Sequence, residues 1–170
     1  MMTTDETIIE RASPADAAEL LEYLRRIGAQ TDNLTFGAEG LPLTTAQEEA
    51  YLASFAGSRD GVLLVARAFG RIVGDASLTR LPRRMSHRGE LGIAVDRDYW
   101  GRGVGTRLME ALLAFARENG FSVLELQVRS DNLRAKRLYE RFGFETFGTH
   151  PAFFRIGGED VPFDCMILRL

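Results

Sequence analysis

Apolar and polar positions change period repeatedly along the chain, and each change marks an element. Residues 7–11 read as a short first strand. Ser13-Pro14 then supplies an N-cap followed by proline, opening a helix that runs through Ile27 and closes at Gly28. Residues 34–43 read as a loop. Thr44 or Thr45 caps a second helix reaching about Phe55, and Thr45 with Glu48 has the spacing of a capping box. The β-rich runs 62–69 and 71–79 meet at Gly70 and predict a hairpin, and 90–95 predicts a further strand. Over 104–119, Val104, Leu108, Ala111, Leu112 and Phe115 recur at helical spacing, with Arg107, Glu110, Arg117 and Glu118 on the polar side and Asn119-Gly120 as the stop. Residues 122–128 predict a strand, 132–142 a helix ended by Gly143, and 144–149 and 163–170 the last two strands.

Hairpin neighbours come first and helix-linked strands later. That order predicts the α/β class, built as a mixed sheet with helices covering its faces. At 170 residues with 45% hydrophobic content and no repeat or Pro/Gly-rich linker, one domain over 1–170 is expected. The formal net charge of −3 argues against a protein that holds nucleic acid by general electrostatics. The start, Met1-Met2-Thr3-Thr4-Asp5-Glu6, lacks a charged-then-apolar leader, and no apolar run approaches the ~20 residues that span a bilayer. A cytoplasmic protein without a membrane partner is therefore expected. The lone Cys165 has no partner for a disulfide or metal set and lies in an apolar run, which predicts a buried packing role. Only His87 and His150 offer imidazole, so no metal site is expected, and His150 beside Pro151 reads as a loop histidine. Arg80, Arg83, Arg84, His87 and Arg88 gather around Pro82 as a solvated turn between strands or, alternatively, a site for an acidic partner.

The segment that carries chemistry begins at Glu90, where a strand leads through Asp96-Arg97-Asp98-Tyr99 into Trp100-Gly101-Arg102-Gly103-Val104-Gly105 and then a long helix. Glycine permits positive φ and close approach, so unpaired amides at the helix start can converge on an anion, helped by the helix dipole. A pyrophosphate fits that description. A P-loop would need a Gly-Lys-Ser/Thr ending that is absent, and the dinucleotide-binding fingerprint would need glycine where Thr106 stands. A glycine turn serving packing alone is the remaining alternative.

These residues resemble the GNAT superfamily of acyl-CoA-dependent N-acetyltransferases, whose signature Gln/Arg-x-x-Gly-x-Gly/Ala opens the third helix. Trp100 stands here in place of the first Gln or Arg. A second stretch, Asn132-Leu-Arg-Ala135-Lys-Arg-Leu138-Tyr139-Glu-Arg-Phe-Gly143-Phe144, is similar to the family's Asn-x-x-Ala-x-x-Leu-Tyr-x-x-x-Gly-Phe. The resemblance covers most of the chain and is densest over 90–144. It implies a central, mostly antiparallel sheet of about seven strands, a splayed parallel pair at the coenzyme site and helices on both faces. Acetyl-CoA is the implied co-substrate, a primary amine of a small molecule the implied acceptor, and a homodimer the implied assembly. A peptide or protein N-acetyltransferase is the nearest alternative, and a non-catalytic acyl-CoA sensor is an alternative of another class.

By resemblance, the amides of Arg102, Gly103, Val104, Gly105 and Thr106 hold the pyrophosphate, and the backbone of Ile93, Ala94 and Val95 hydrogen-bonds the pantetheine arm. Tyr139 is the implied acid for the departing thiolate, with packing on a helix face as its alternative. Seven residues from Asn132 to Tyr139 are about two helical turns, which puts both near one face. Asn132 either caps its helix or contacts the coenzyme. Glu90 shares strand parity with Gly92 and Ala94, and the resemblance makes it the proton acceptor, against a strand-end glutamate paired with Arg88. Glu125 is the reserve base, whereas Gln127 stands where the branch that acetylates protein N-termini has glutamate. Tyr23, Asp32, Asn33, Phe36, Phe153 and Phe154 fall in regions that, by resemblance, wall the acceptor pocket.

Overall fold

The computed structural model describes residues 6–170, and the acidic start at residues 1–5 lies outside the described residues. Seven strands form one sheet: β1 (Ile8–Arg11), β2 (Gly61–Ala68), β3 (Arg71–Arg80), β4 (Arg88–Val95), β5 (Val123–Arg129), β6 (Glu145–Ile156) and β7 (Glu159–Arg169). Their spatial order is β1-β2-β3-β4-β5-β7-β6. All neighbours are antiparallel except β4 and β5, which the crossover helix α3 (Val104–Glu118) makes parallel. The other helices are α1 (Ala17–Gly28), α2 (Thr45–Ala53) and α4 (Leu133–Arg141). No helix among the described residues is long and apolar enough to cross a membrane.

Strand β2 shows how the sheet is covered. Val62, Leu64, Ala66 and Ala68 pack with Val104, Leu108 and Leu112 of α3, while the alternate Leu63 and Val65 pack with Leu20, Tyr23 and Ile27 of α1 and Leu52 of α2. Both faces being dry, the strand reads as an unbroken apolar run from Val62 to Ala66. Helix α3 lies close to the sheet because Gly74 offers no side chain; a Cβ there would sit 3.1 Å from Val104 and 3.2 Å from Leu108.

Several local expectations are corrected. Helix α1 does not close at Gly28 but includes it, with Ala29 as the C-cap. The glycine serves contact, since a Cβ would fall 2.0 Å from the Gly37 carbonyl oxygen. The capping box at α2 is Thr44 with Gln47, not Thr45 with Glu48, which leaves Glu48 free to turn inward and become buried. The last two strands are far longer than 144–149 and 163–170 and form a continuous hairpin through Gly157-Gly158, both at positive φ. An irregularity between His150 and Phe154 and the near-complete exposure of β6 erase the alternation a strand needs to be read. His150 thus belongs to a strand, and Cys165 on β7 is half-buried, not sealed in the core.

Candidate active site

The site originates where two parallel strands part. Only Arg88, Gly89 and Glu90 of β4 pair with β5, opposite Val123, Leu124 and Glu125. Beyond that point β4 stays on β3 as far as Val95, and β5 stays on β7 as far as Arg129. A wedge opens through the sheet between them, with Ile93 and Ala94 on one side and Arg129 on the other. A cleft of about 1060 Å³ lies over the start of α3 and is lined by Ile93, Ala94, Val95, Gly103, Val104, Gly105, Thr106 and Asn132. A second chamber of about 630 Å³ runs over β3 and β4, lined by Asp75, Ser77, Thr79, Glu90, Gly92 and Gln127 among others. Tyr139, Asn132, Ile93 and Ala94 belong to both.

The glycine turn presents backbone to the cleft. Gly101 and Gly103 take φ of 73° and 80°, a left-handed geometry that costs other residues about 1–2 kcal/mol. Gly103 caps α3 without a side chain, and no acidic residue occupies the first turn. The amides of Val104, Gly105 and Thr106 make no hydrogen bond among the described residues. This helix start therefore keeps its positive end directed at the cleft. Asp96 anchors the approach from β4. It accepts from Arg26 at 2.7 Å, Gln30 at 3.1 Å and the Asp98 amide at 3.1 Å. Burial alone would push this carboxyl up, but those donors hold it below the usual range. Arg102 does not line the cleft; its guanidinium lies over the Tyr99 ring at 5.0 Å. Trp100 turns back to donate its indole N–H to the Val95 carbonyl at 2.8 Å, while Arg134 covers its ring at 4.3 Å. The motif position that departs from Gln or Arg thus becomes a brace between β4 and α4.

Helix α4 is fixed at its start and middle. The Asn132 side chain accepts from the Ala135 amide at 3.3 Å, so it caps the helix while also lining both cavities. Lys136 donates to Asp164 of β7 at 2.6 Å. The Tyr139 ring meets Phe144 edge-on at 6.0 Å, and its hydroxyl has no hydrogen bond among the described residues. Burial pushes the phenol up to about 12, so it remains protonated.

Across the wedge, Glu90 is exposed to the second chamber and is not paired with Arg88, which makes two hydrogen bonds to Glu125 instead. Glu125 is thereby occupied. The basic group around Pro82 is likewise divided: Arg80 binds Asp60 and the Ser86 and Asn119 carbonyls and stacks over Phe121 at 3.9 Å. Phe36, Phe153 and Phe154 line the chamber, and Asn33 lines both cavities; Asp32 lines only the cleft, and Tyr23 lies wholly inside the core. Asp75, Ser77, Thr79 and Arg129 are among the lining residues that were not read from the sequence. The usable signal was Asp75, a charge between Gly74 and Ala76 in a strand otherwise written for burial.

One prediction follows from the turn. A Cβ at Gly105 would already sit 3.1 Å from Leu138, and valine would add methyl groups beside the open amides. Gly105→Val is expected to weaken acetyl-CoA binding at least about tenfold by calorimetry. An unchanged Kd would mean that the pyrophosphate does not use this turn.

The model of the "Acetyltransferase (GNAT) family" matches residues 19–144. The chain is 42% identical over 96 residues to N-alpha-acetyltransferase RimI of Mycobacterium tuberculosis, a match covering 56% of this chain and 59% of that protein, under two thirds of the relative's length. It is 30% identical over 139 residues to an L-methionine sulfoximine/L-methionine sulfone acetyltransferase of Pseudomonas aeruginosa, covering 81% of each. A solved GNAT-family acetyltransferase from Streptococcus pneumoniae superposes with a TM-score of 0.93 at 31% identity, over 97% of this chain and all of that one. The chain therefore belongs to the acetyltransferase (GNAT) family of acyltransferases, whose co-substrate is acetyl-CoA.

Proposed function

We propose that this chain, acting as one domain, moves the acetyl group of acetyl-CoA to a primary amine of a small molecule by direct attack. The observation that carries the reading is the meeting of two cavities at the β4–β5 wedge, with Tyr139 in the wall of both. In the cleft, the amides of Val104, Gly105 and Thr106 hold the pyrophosphate, and the Ile93–Val95 backbone aligns the pantetheine arm. In the second chamber, Glu90 takes the proton released by the attacking amine, through an ordered water where contact is not direct. Tyr139 donates to the departing sulfur. Cys165 lines neither cavity and burial pushes its thiol up, which disfavours an acyl-cysteine route.

The size class of the acceptor rests on the chamber walls. Residues 33–36, Phe153 and Phe154 are among the residues that line the chamber, a concave wall suited to a small amine. The acceptors in the Pseudomonas relative's name are also small molecules. RimI's name, N-alpha-acetyltransferase, points to an α-amine, and against the peptide or protein alternative Gln127 offers no carboxylate. A cytoplasmic homodimer belongs to the same proposal, with the exposed edge strand β6 as the free surface for a second copy. The test is thiol release from acetyl-CoA with a panel of small amines and short peptides. Small amines are expected to lead by at least about tenfold in kcat/KM. A lead by peptides overturns the acceptor class, and binding of acetyl-CoA without any amine-dependent release makes the protein a sensor.

A further inference from the structure

The second chamber carries a carboxylate that the proposed transfer leaves idle. Cross-strand register places Asp75 opposite Ala94, Ser77 opposite Gly92 and Thr79 opposite Glu90, and all six residues line the chamber from one sheet face. At the centre Gly92 leaves a notch: a Cβ built there would meet nothing nearer than the Ser77 hydroxyl at 3.9 Å. Asp75 stands two residues, about 7 Å, to one side of that notch, and Glu90 stands as far to the other.

Asp75 is held on one oxygen. The Tyr23 hydroxyl, wholly buried on α1, lies 2.9 Å from Oδ1 and 3.1 Å from the Ala94 carbonyl oxygen, so its single proton serves one acceptor at a time. The carboxylate receives no other hydrogen bond and no ion pair among the described residues, although the chain has 21 Lys and Arg. Behind it, Glu48 is 2% exposed and its Oε2 has no hydrogen-bond partner. Burial, with Glu48 adding negative charge, pushes Asp75 up to about 6, which still leaves it mainly ionised at pH 7. A half-buried anion without a cation is costly, and a cationic ligand lowers that cost.

We infer that the acceptor is dibasic: one amine reacts at the Gly92 notch beside Glu90, and a second ammonium rests on the Asp75 carboxylate. This rests on reading the second chamber as the acceptor site. An acidic second group would face Asp75 and Glu90, and the chamber's one guanidinium, Arg129, is already committed to Asp131 at 2.7 Å. Phe36, Phe153 and Phe154 supply apolar wall for the methylenes between the two nitrogens and π-faces for the charge.

Diaminopentane and pentylamine differ at the distal end, where only the former carries an ammonium, and Asp75→Asn keeps an acceptor for Tyr23 while removing the negative charge. The parent is expected to favour diaminopentane by at least about tenfold in kcat/KM, mainly through KM, and Asp75→Asn to collapse that ratio toward unity. In the CoA-loaded protein, calorimetric binding of diaminopentane should weaken at least about tenfold in Asp75→Asn, with CoA affinity reporting the fold. A parent ratio under about twofold, a ratio unmoved by Asp75→Asn, or loss of both amines in step overturns the inference. Asp75-dependent binding without turnover would keep this site and overturn the proposed transfer. Absence of both binding and turnover overturns both.

Discussion

Tyr139→Phe is expected to lower kcat by about 10²-fold or more while leaving acetyl-CoA affinity within about twofold. The substitution removes one oxygen and keeps the ring against Phe144, so packing changes little. The phenol near 12 and a coenzyme thiol of ordinary acidity, near 8.5, differ by about 3.5 units, or about 5 kcal/mol against complete proton transfer to a settled thiolate. In the proposed mechanism, Tyr139 therefore contributes first as a protonated hydrogen-bond donor while charge grows on sulfur, which is stabilisation made in the transition state. The direction of the shift also fixes the pH behaviour. The neutral phenol is the working form and burial extends its range upward, so kcat should show no falling limb from this group below about pH 10. The measurement is kcat against pH for parent and variant, with a rapid acid quench establishing that chemistry limits turnover. An unaltered kcat under that condition would reduce Tyr139 to a packed helix residue.

The fold was legible where backbone geometry restricts residue choice. The strand, glycine turn and helix from Glu90 onward need left-handed φ at Gly101 and Gly103 and a helix start free of side chain, and few sequences satisfy all three. The spacing of Asn132 and Tyr139 placed them on one helix face for a similarly rigid reason. Element lengths were less legible. Strand β6 has no covered face, so nothing imposes alternation on its residues, and Pro151 argued against a strand that tolerates it at a sheet edge.

Side-chain partners were the least legible part of the site. The position of Arg88 beside Glu90 in the chain suggested a pair, but alternate residues along a strand share a face without fixing which of two nearby carboxylates a guanidinium takes. The parallel register brings Glu125 level with Glu90, and Arg88 chooses Glu125. Asp75 escaped notice because its meaning depends on α1 and α2, distant in sequence, folding Tyr23 and Glu48 against it. Trp100 shows the converse. Its departure from the family pattern was plain in the sequence, whereas its bond to the Val95 carbonyl needed the fold.

Glu90→Gln is expected to depress kcat/KM at pH 7 by about 10²-fold for an alkyl amine and only a few-fold for an α-amine. An alkyl amine with a pKa of ~10.4 is neutral in about one molecule in 2,500 at pH 7, whereas an α-amine at ~7.7–8.0 is neutral in roughly one in ten. With Glu90 present, the abundant ammonium form can bind and release its proton inside the chamber. Without it, only amine already neutral in bulk water reacts, so the variant's kcat/KM should climb close to tenfold per pH unit toward the amine pKa and converge on the parent. The nearby carboxylates do not replace Glu90 in this proposed role: Glu125 is held by Arg88, and Asp75, across the Gly92 notch from Glu90, is read as the seat of the acceptor's second ammonium. Paired pH profiles of kcat/KM, measured with the best acceptor found, decide the matter. Parallel curves less than about threefold apart would leave Glu90 a strand-end residue, and with Glu125 already committed, the enzyme would then depend on solvent to deprotonate its substrate.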